Sequence, residues 1–307
     1  MVVFFAKMAR KGYRQKKSFL QVSMTSQHIH DYQSYSRLAR DHYENFPVAS
    51  WLISAKYRQS LHAIYAFART ADDYADEAMF DGRRMEELKK WRHLLDECIA
   101  GNAKDPLFLT LADTIEKHAL PHALFYDLLD AFEQDVQQSE YANWSGIVDY
   151  ARRSANPIGR LYLSIHGYRH EQLNVYSDAI CSALQFTNFW QDVSVDLEKK
   201  RVYIPTNIMQ GFGYSLERLY QRDENQAFTQ VIQYLVAQTQ TMFDEGKKLI
   251  PLLDGRLQKE IAMIVLGGEM ILQKIKKQRY CVLSQRPMIK KRDKLYMLLR
   301  ACLGYAS

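Results

Sequence analysis

Helix breakers are scarce in this chain. It carries 13 glycines and 7 prolines in 307 residues, together well below the usual ~12%. Long mixed segments with few interruptions favour helices. No run alternates convincingly with period two, so strands are expected to be absent or trivial. The four cysteines, Cys98, Cys181, Cys281 and Cys302, form no CxxC pair. That excludes a zinc ribbon or a disulfide framework and fits a reduced, cytosolic compartment. No stretch reaches 18 consecutive apolar residues, so no transmembrane helix is expected. A P-loop and a GxGxxG fingerprint are also missing. Gly211-Phe212-Gly213 lacks the third glycine and the preceding strand.

Acids are absent at the start: none appears before Asp31. Lys7, Arg10, Lys11, Arg14, Lys16 and Lys17 therefore make residues 1–30 a basic, disordered extension in expectation. A transit-like leader and a true start at Met24 are alternatives. The apolar run 2–6 is too short for a secretory signal. A second basic region runs from Lys274 to Lys294 and includes Arg279, Arg286 and Lys290. Most of it reads as a solvated helix end. Attraction to anionic lipid headgroups or to diphosphate is the functional alternative. No zinc-finger, RNP or helix-turn-helix signature accompanies the charge, so nucleic acid is not an expected partner.

The remaining composition, 47% hydrophobic and 25% charged, is ordinary and globular. Periodicity predicts helices near 31–46, 56–79, 83–100, 106–118, 121–139, 144–168, 171–198, 214–222, 224–250, 254–278 and 291–303. Asn156-Pro157 is a predicted break within the sixth. No linker rich in Gly, Ser or Pro divides the chain, so residues 31–303 read as one all-α domain. The connection 199–213 is the longest irregular one after the N-terminal arm and follows an acidic segment, as functional connections often do.

That acidic segment is one of two. Asp72 and Asp76 in FARTADDYADE, and Asp192 and Asp196 in QFTNFWQDVSVD, share Asp-x-x-x-Asp spacing. Four residues apart on a helix, two carboxylates lie on one face, roughly 5–6 Å between Cβ atoms. At that distance like charges repel by about 3 kcal/mol at an effective dielectric near 20. Water removes the difficulty; an inward direction demands a cation. Tyr65, Arg69, Asp72 and Asp76 follow 4-3-4 spacing, and Leu61 and Ala68 continue that side. Gln185, Asn188, Asp192 and Asp196 follow 3-4-4 spacing among Leu184, Phe186, Phe189 and Trp190. Both pairs thus read as inward-facing. Oxygen ligands suit Mg²⁺, with Mn²⁺ an alternative. Mg²⁺ prefers one or two carboxylates plus a substrate phosphate. Removing one repelling carboxylate is expected to leave the fold intact and even to raise stability.

Several strings carry a family resemblance: HYENFPVAS at 42–50, residues 65–77, YARRSANPIGRL at 150–161, residues 188–196 and KRVYIP at 200–205. In order and separation they resemble the squalene/phytoene synthases, and FARTADD, RRSANPIGR and NFWQDV most resemble the bacterial hydroxysqualene synthase branch. The resemblance spans about residues 35–290. It implies a helical isoprenoid-synthase bundle around a central cavity, with the two acidic stations facing one another. It also implies Mg²⁺ held by Asp72, Asp76, Asp192 and Asp196.

Arg69 is expected to capture diphosphate rather than merely pair along its helix. Arg153 and Arg201 join it, while at least one of Arg152, Arg153, Lys200 and Arg201 should be a surface residue. Gln185 and Asn188 are expected to meet metal-bound water or diphosphate, since buried amides need partners. Phe46, Tyr65, Tyr150 and Tyr203 are plain core aromatics by default, but a carbocation enzyme uses such rings, each worth roughly 0.5–2 kcal/mol. Asp73 and Glu77 occupy an adjacent face, where a functional role and a merely supporting or solvent-exposed one are equally open. Tyr43 and Tyr150 are candidates for positioning a water.

The reaction so implied ionises presqualene diphosphate and captures the rearranged cation with water, giving hydroxysqualene. No nicotinamide cofactor is expected. Phytoene synthases generally carry a small Gly-Thr pair where this chain has Asn156-Pro157, which argues against phytoene synthesis. Head-to-head coupling of prenyl diphosphates to squalene or phytoene is the main rival. A head-to-tail elongase lacks its second doubled aspartate here, since Gln191 precedes Asp192. A di-iron bundle needs Glu-x-x-His pairs, and none of the nine histidines has an acid three positions earlier. A noncatalytic helical assembly factor is the reading from another class. The expected location is cytoplasmic, with peripheral contact to the inner face of the membrane. Association with other hopanoid-pathway enzymes is a further expectation.

Overall fold

The computed structural model describes residues 54–290, with Arg292, Asp293, Tyr296, Met297 and Arg300 beyond them. The basic segment 1–30, the helix expected at 31–46, Tyr43, Phe46 and most of the helix expected at 291–303 lie outside the described residues.

The described residues 54–290 form eleven α-helices and no strand. They are α1 (Ala55–Asp76), α2 (Arg84–Ile99), α3 (Pro106–His118), α4 (Ala123–Gln137), α5 (Trp144–Ser154), α6 (Asn156–Ile165), α7 (Glu171–Glu198), α8 (Thr206–Gly211), α9 (Leu216–Tyr220), α10 (Gln226–Gly246) and α11 (Gly255–Lys277). Two 3-10 turns, Ala78–Phe80 and Lys247–Leu252, follow α1 and α10. One isolated parallel bridge, Glu140 to Val202, is the whole of the extended pairing among these residues.

The all-α expectation holds, and the differences are local. The segment 144–168 is two helices, α5 and α6, with Ala155 as the joint at φ −120° and ψ −46°. Pro157 then lies in the first turn of α6, where a missing N–H costs nothing. Asn156 Oδ1 accepts a hydrogen bond from Ser182 Oγ at 2.8 Å. The connection 199–213 is not wholly irregular, since α8 lies within it. α1 ends at Asp76, and Glu77 is already extended with ψ 137°.

The chain divides into two compact units: one ends at Val136 and takes in Leu161–Tyr168, the other covers Gln137–Arg160 and continues from Arg169. In the first, α1 packs on α2 and α3. Phe67 stacks on Trp91 and meets Phe108 and Phe125 edge-on. The indole N–H of Trp91 donates to the Phe67 carbonyl at 3.2 Å. Asp105 caps α3 by accepting from Leu107 N at 2.8 Å, with Pro106 at the first helical position.

In the second unit α7 packs along α10, and also on α5 and α11. Trp190 is fully buried, and its N–H donates to Thr239 Oγ1 at 2.8 Å. Close approach depends on small residues. A Cβ at Gly159 would lie 2.4 Å from Ser177 Oγ and 2.5 Å from Cys181 Sγ. One at Gly268 would lie 2.9 Å from a Leu184 methyl and still closer to Phe243.

Candidate active site

The first station lies in the last turns of α1. Phe67, Ala71 and Tyr74 recur with helical spacing and face the aromatic core. At 3.6 residues per turn, Tyr65, Arg69, Asp72 and Asp76 fall on the opposite side. Tyr65, Arg69 and Asp72 are nevertheless buried, and Asp76 is half-buried. Leu61 and Ala68 are buried on that side too, so the carboxylates continue a buried stripe as the spacing predicts, and α1 is buried on both sides. Arg69 donates through Nη1 to Asp72 Oδ2 at 2.9 Å and through Nη2 to Asp73 Oδ1 at 2.5 Å. The intrahelical pairing weighed against diphosphate capture is thus present, and Asp73 is drawn into the station. No basic residue lies in the last turn. Asp72, Asp73 and Asp76 gather where the helix dipole is itself negative, about half an elementary charge. That electrostatic arrangement favours a bound cation.

The second station lies near the C-terminal end of α7. Gln185, Asn188, Asp192 and Asp196 share a face about 80° wide. They are 2%, 0%, 4% and 6% exposed. Again no basic residue occupies the last turn. Both polar atoms of the Asn188 amide, and the Gln185 Oε1 atom, are buried without a hydrogen-bond partner. Such groups cost about 1–3 kcal/mol each unless something polar fills the space before them. Asp192 is paired. Arg286 Nε donates to its Oδ1 at 2.5 Å, and Gln191 Nε2 donates to the Pro287 carbonyl at 2.7 Å.

This corrects the reading of the basic C-terminal region. Lys276, Lys277 and Lys290 are exposed, as expected. Arg286 instead neutralises a buried aspartate, and Lys274 pairs with Asp293 at 2.8 Å. Periodicity could not show this, because Arg286 stands 94 residues from its partner on a non-helical segment.

An aromatic cluster adjoins the second station. Phe189 stacks on Tyr203 with ring centroids 3.8 Å apart and planes 8° from parallel. Tyr150 lies 6.1 Å from both rings. Tyr141 lies 5.8 Å from Tyr203; as a lone tyrosine in a polar loop, it carries no spacing signal in the sequence. Phe189, Tyr203, Asp196, Arg201, Val193 and Leu219 line a small pocket here. Arg153 follows Tyr150 by one turn, and its guanidinium donates to Asp149 Oδ2 at 2.8 Å. Arg153, helped by Arg152, holds the Asp149 carboxyl below the usual carboxylate range. Arg152 and Lys200 are exposed, which satisfies the expectation of a surface residue in that set.

The donor set fits a hard cation. Every candidate ligand atom is oxygen, the helix ends add negative potential, and the α7 face carries unsatisfied amides. Among the described residues no three His, Cys, Asp or Glu side chains converge to hold an ion unaided. The first station offers Asp72, Asp73 and Asp76 and the second Asp192 and Asp196, a donor set that would suit Mg²⁺ completing its sphere with water and substrate phosphate.

Comparison with known proteins identifies the family. Residues 39–293 match the family model for squalene/phytoene synthase. The hydroxysqualene synthase of Rhodopseudomonas palustris is 33% identical over 250 residues, 80% of this chain and 84% of that protein. The phytoene synthase of Mycobacterium tuberculosis is 28% identical over 73% of this chain and 75% of its own length. The crystal structure of squalene synthase HpnC from Alicyclobacillus acidocaldarius superposes with a TM-score of 0.77 at 37% identity, covering 81% of this chain and 94% of that one. The chain belongs to the squalene/phytoene synthase family.

Proposed function

We propose that this chain ionises presqualene diphosphate and captures the rearranged cation with water, releasing hydroxysqualene. The observation that carries the reading is the buried, oxygen-rich face of α7, running from Gln185 to Asp196 in its last turn and lying beside the Phe189–Tyr203 stack. The similarity to a hydroxysqualene synthase over most of both chains supports the choice of reaction.

Bound Mg²⁺ or Mn²⁺ would supply Lewis-acid neutralisation of the departing diphosphate. The carboxylate pairs Asp72/Asp76, on α1, and Asp192/Asp196, on α7, would each offer oxygen ligands to such an ion. Asn188 and Gln185 would hydrogen-bond to metal-bound water or phosphate oxygen, which answers their lack of partners. Arg69, Arg153 and Arg201 would bind diphosphate oxygens, a task suited to the guanidinium fork.

When the carbon–oxygen bond breaks, both electrons leave with the diphosphate and a cyclopropylcarbinyl cation remains. The faces of Phe189, Tyr150 and Tyr203 would stabilise positive charge without attacking it, and Tyr65 on α1 is a further candidate for that role. A water lone pair then forms the new carbon–oxygen bond on the rearranged cation, and loss of a proton gives the C30 alcohol. No hydride enters, so no nicotinamide cofactor is required. Tyr150 is the described candidate for orienting that water.

The test is product analysis with presqualene diphosphate, Mg²⁺ and ¹⁸O-water, without nicotinamide. A labelled C30 alcohol supports the reading. A C30 or C40 hydrocarbon made from farnesyl or geranylgeranyl diphosphate would identify a squalene or phytoene synthase instead. No diphosphate release from any of these substrates would leave a noncatalytic assembly factor.

A further inference from the structure

Residues 278–287 form a strap that leaves the end of α11 and brings Arg286 and Pro287 to α7. Its fastening is specific. Glu224 Oε1 accepts from Leu283 N at 2.7 Å and Ser284 N at 3.3 Å, and its Oε2 accepts from Ser284 Oγ at 2.6 Å. Gln278 Nε2 donates to the carbonyls of Cys281 at 2.8 Å and Gln285 at 2.6 Å. Val282, Leu283 and Pro287 are buried.

Glu224 is itself held on both sides. Tyr214 Oη donates to the Asp223 carbonyl at 2.8 Å, and Asn225 caps α10 by accepting from Phe228 N at 3.0 Å. A rigid carboxylate thus grips the strap two residues before the arginine. The arginine in turn occupies one oxygen of Asp192 through a single Nε–H bond.

We propose that Glu224 is a positioning residue for the second acidic station: it holds the strap so that Arg286 acts as a built-in counter-cation of Asp192. This rests on the reading of Asp192 as a metal ligand. A guanidinium on that carboxylate satisfies its charge before any metal arrives. It leaves Oδ2 as the oxygen not engaged in the ion pair and weakens the pull of the station on a free divalent ion. The station is thereby kept from binding metal tightly until substrate phosphate adds its own negative charge. Glu224 touches neither Asp192 nor any reacting group; it acts only through the strap.

The experiment is Mn²⁺ titration of the full chain by electron paramagnetic resonance, without substrate. Arg286→Gln removes the counter-cation and should tighten Mn²⁺ binding, roughly tenfold for a unit charge at contact distance. Glu224→Ala should shift binding in the same direction by a smaller factor. In the double variant it should add nothing beyond Arg286→Gln, a non-additivity that a merely structural role would not produce. Glu224→Gln retains an acceptor for both strap amides and should bind Mn²⁺ as the wild type does.

Binding unchanged by Arg286→Gln would overturn the counter-cation. A full Glu224→Ala effect persisting in the Arg286→Gln background would overturn the positioning role. Should Glu224→Ala fail to fold, loss of wild-type binding in folded Glu224→Gln would have the same force. Asp192→Asn separates the two layers. Wild-type Mn²⁺ affinity in that variant would remove the metal reading itself, as would absence of Mn²⁺ binding in both wild type and Arg286→Gln, and the inference would fall with it.

Discussion

Phe189 lies face to face with Tyr203, 3.8 Å between ring centroids, on the turn of α7 that also carries Asn188 and Asp192. The stack joins the helix bearing the carboxylates to the chain that leaves its C-terminus. It therefore serves packing and, in the proposed reaction, charge.

Tyr203→Phe should separate those roles. The ring remains, so folding and product identity should be retained. Tyr203→Ala should cost about 3–5 kcal/mol of stability, as for a buried aromatic truncated in a core, and should lower kcat as well. Denaturant midpoints and steady-state kinetics on both variants check this. Equal kcat for the Phe and Ala variants would remove the ring from the chemistry.

Removing a station carboxylate should now destabilise the metal-free protein, contrary to the repulsion argument drawn from spacing alone. Asp192→Ala strands the Arg286 guanidinium and should cost about 1.5–3 kcal/mol, the range for a hydrogen bond to a charged group. Asp72→Ala should cost less, because Arg69 keeps Asp73. Both should abolish metal-dependent turnover. Urea unfolding in EDTA reads the stability, and a variant more stable than wild type would restore the repulsion argument.

His166 should make the first unit acid-sensitive. It lies between Tyr57, at 4.3 Å, and Tyr162, at 4.7 Å between ring centroids. Burial holds its imidazole below the ordinary value, the Tyr162 carbonyl opposing this and neighbouring His118 and Lys56 assisting it. The folded protein then binds fewer protons here than the unfolded chain. The contribution is complete above about pH 6.5 and is lost as pH falls through that unfolded value. His166→Phe keeps an aromatic ring and should flatten the change in urea midpoint between about pH 7.5 and about pH 5.5. Identical slopes in the two proteins would assign the acid sensitivity elsewhere.

Membrane association should be peripheral and salt-sensitive. No described helix is long and apolar enough to cross a bilayer, while Lys276, Lys277 and Arg279 are exposed at the end of α11. Each such charge near an anionic surface is worth about 1 kcal/mol. Flotation with phosphatidylserine vesicles should show binding at low salt that is lost at high salt. Binding indifferent to salt would point to apolar insertion instead.

Much of this was legible in the residues. Scarce breakers and sustained helical periodicity located every long described helix within a few positions. Asn156-Pro157 marked the α5–α6 joint because proline is tolerated only where no N–H is needed. The 3-4-4 row from Gln185 to Asp196 is a property of one helix, so spacing alone placed four polar groups on one face. What it could not reveal was α8, six residues long and too short for periodicity to register.

The sequence by itself determined the helical class, the two carboxylate pairs and, through its motif strings, the family. These follow from local rules, since helical spacing is a matter of 3.6 residues per turn whatever surrounds it. Only the tertiary structure decided which charges meet. Arg286 reads as one cation among many in a basic tail, yet it sits on Asp192 because Glu224 grips a strap 60 residues along the chain from it. Charge pairing depends on distance in space, and a chain's order along its length does not contain that distance until it has folded.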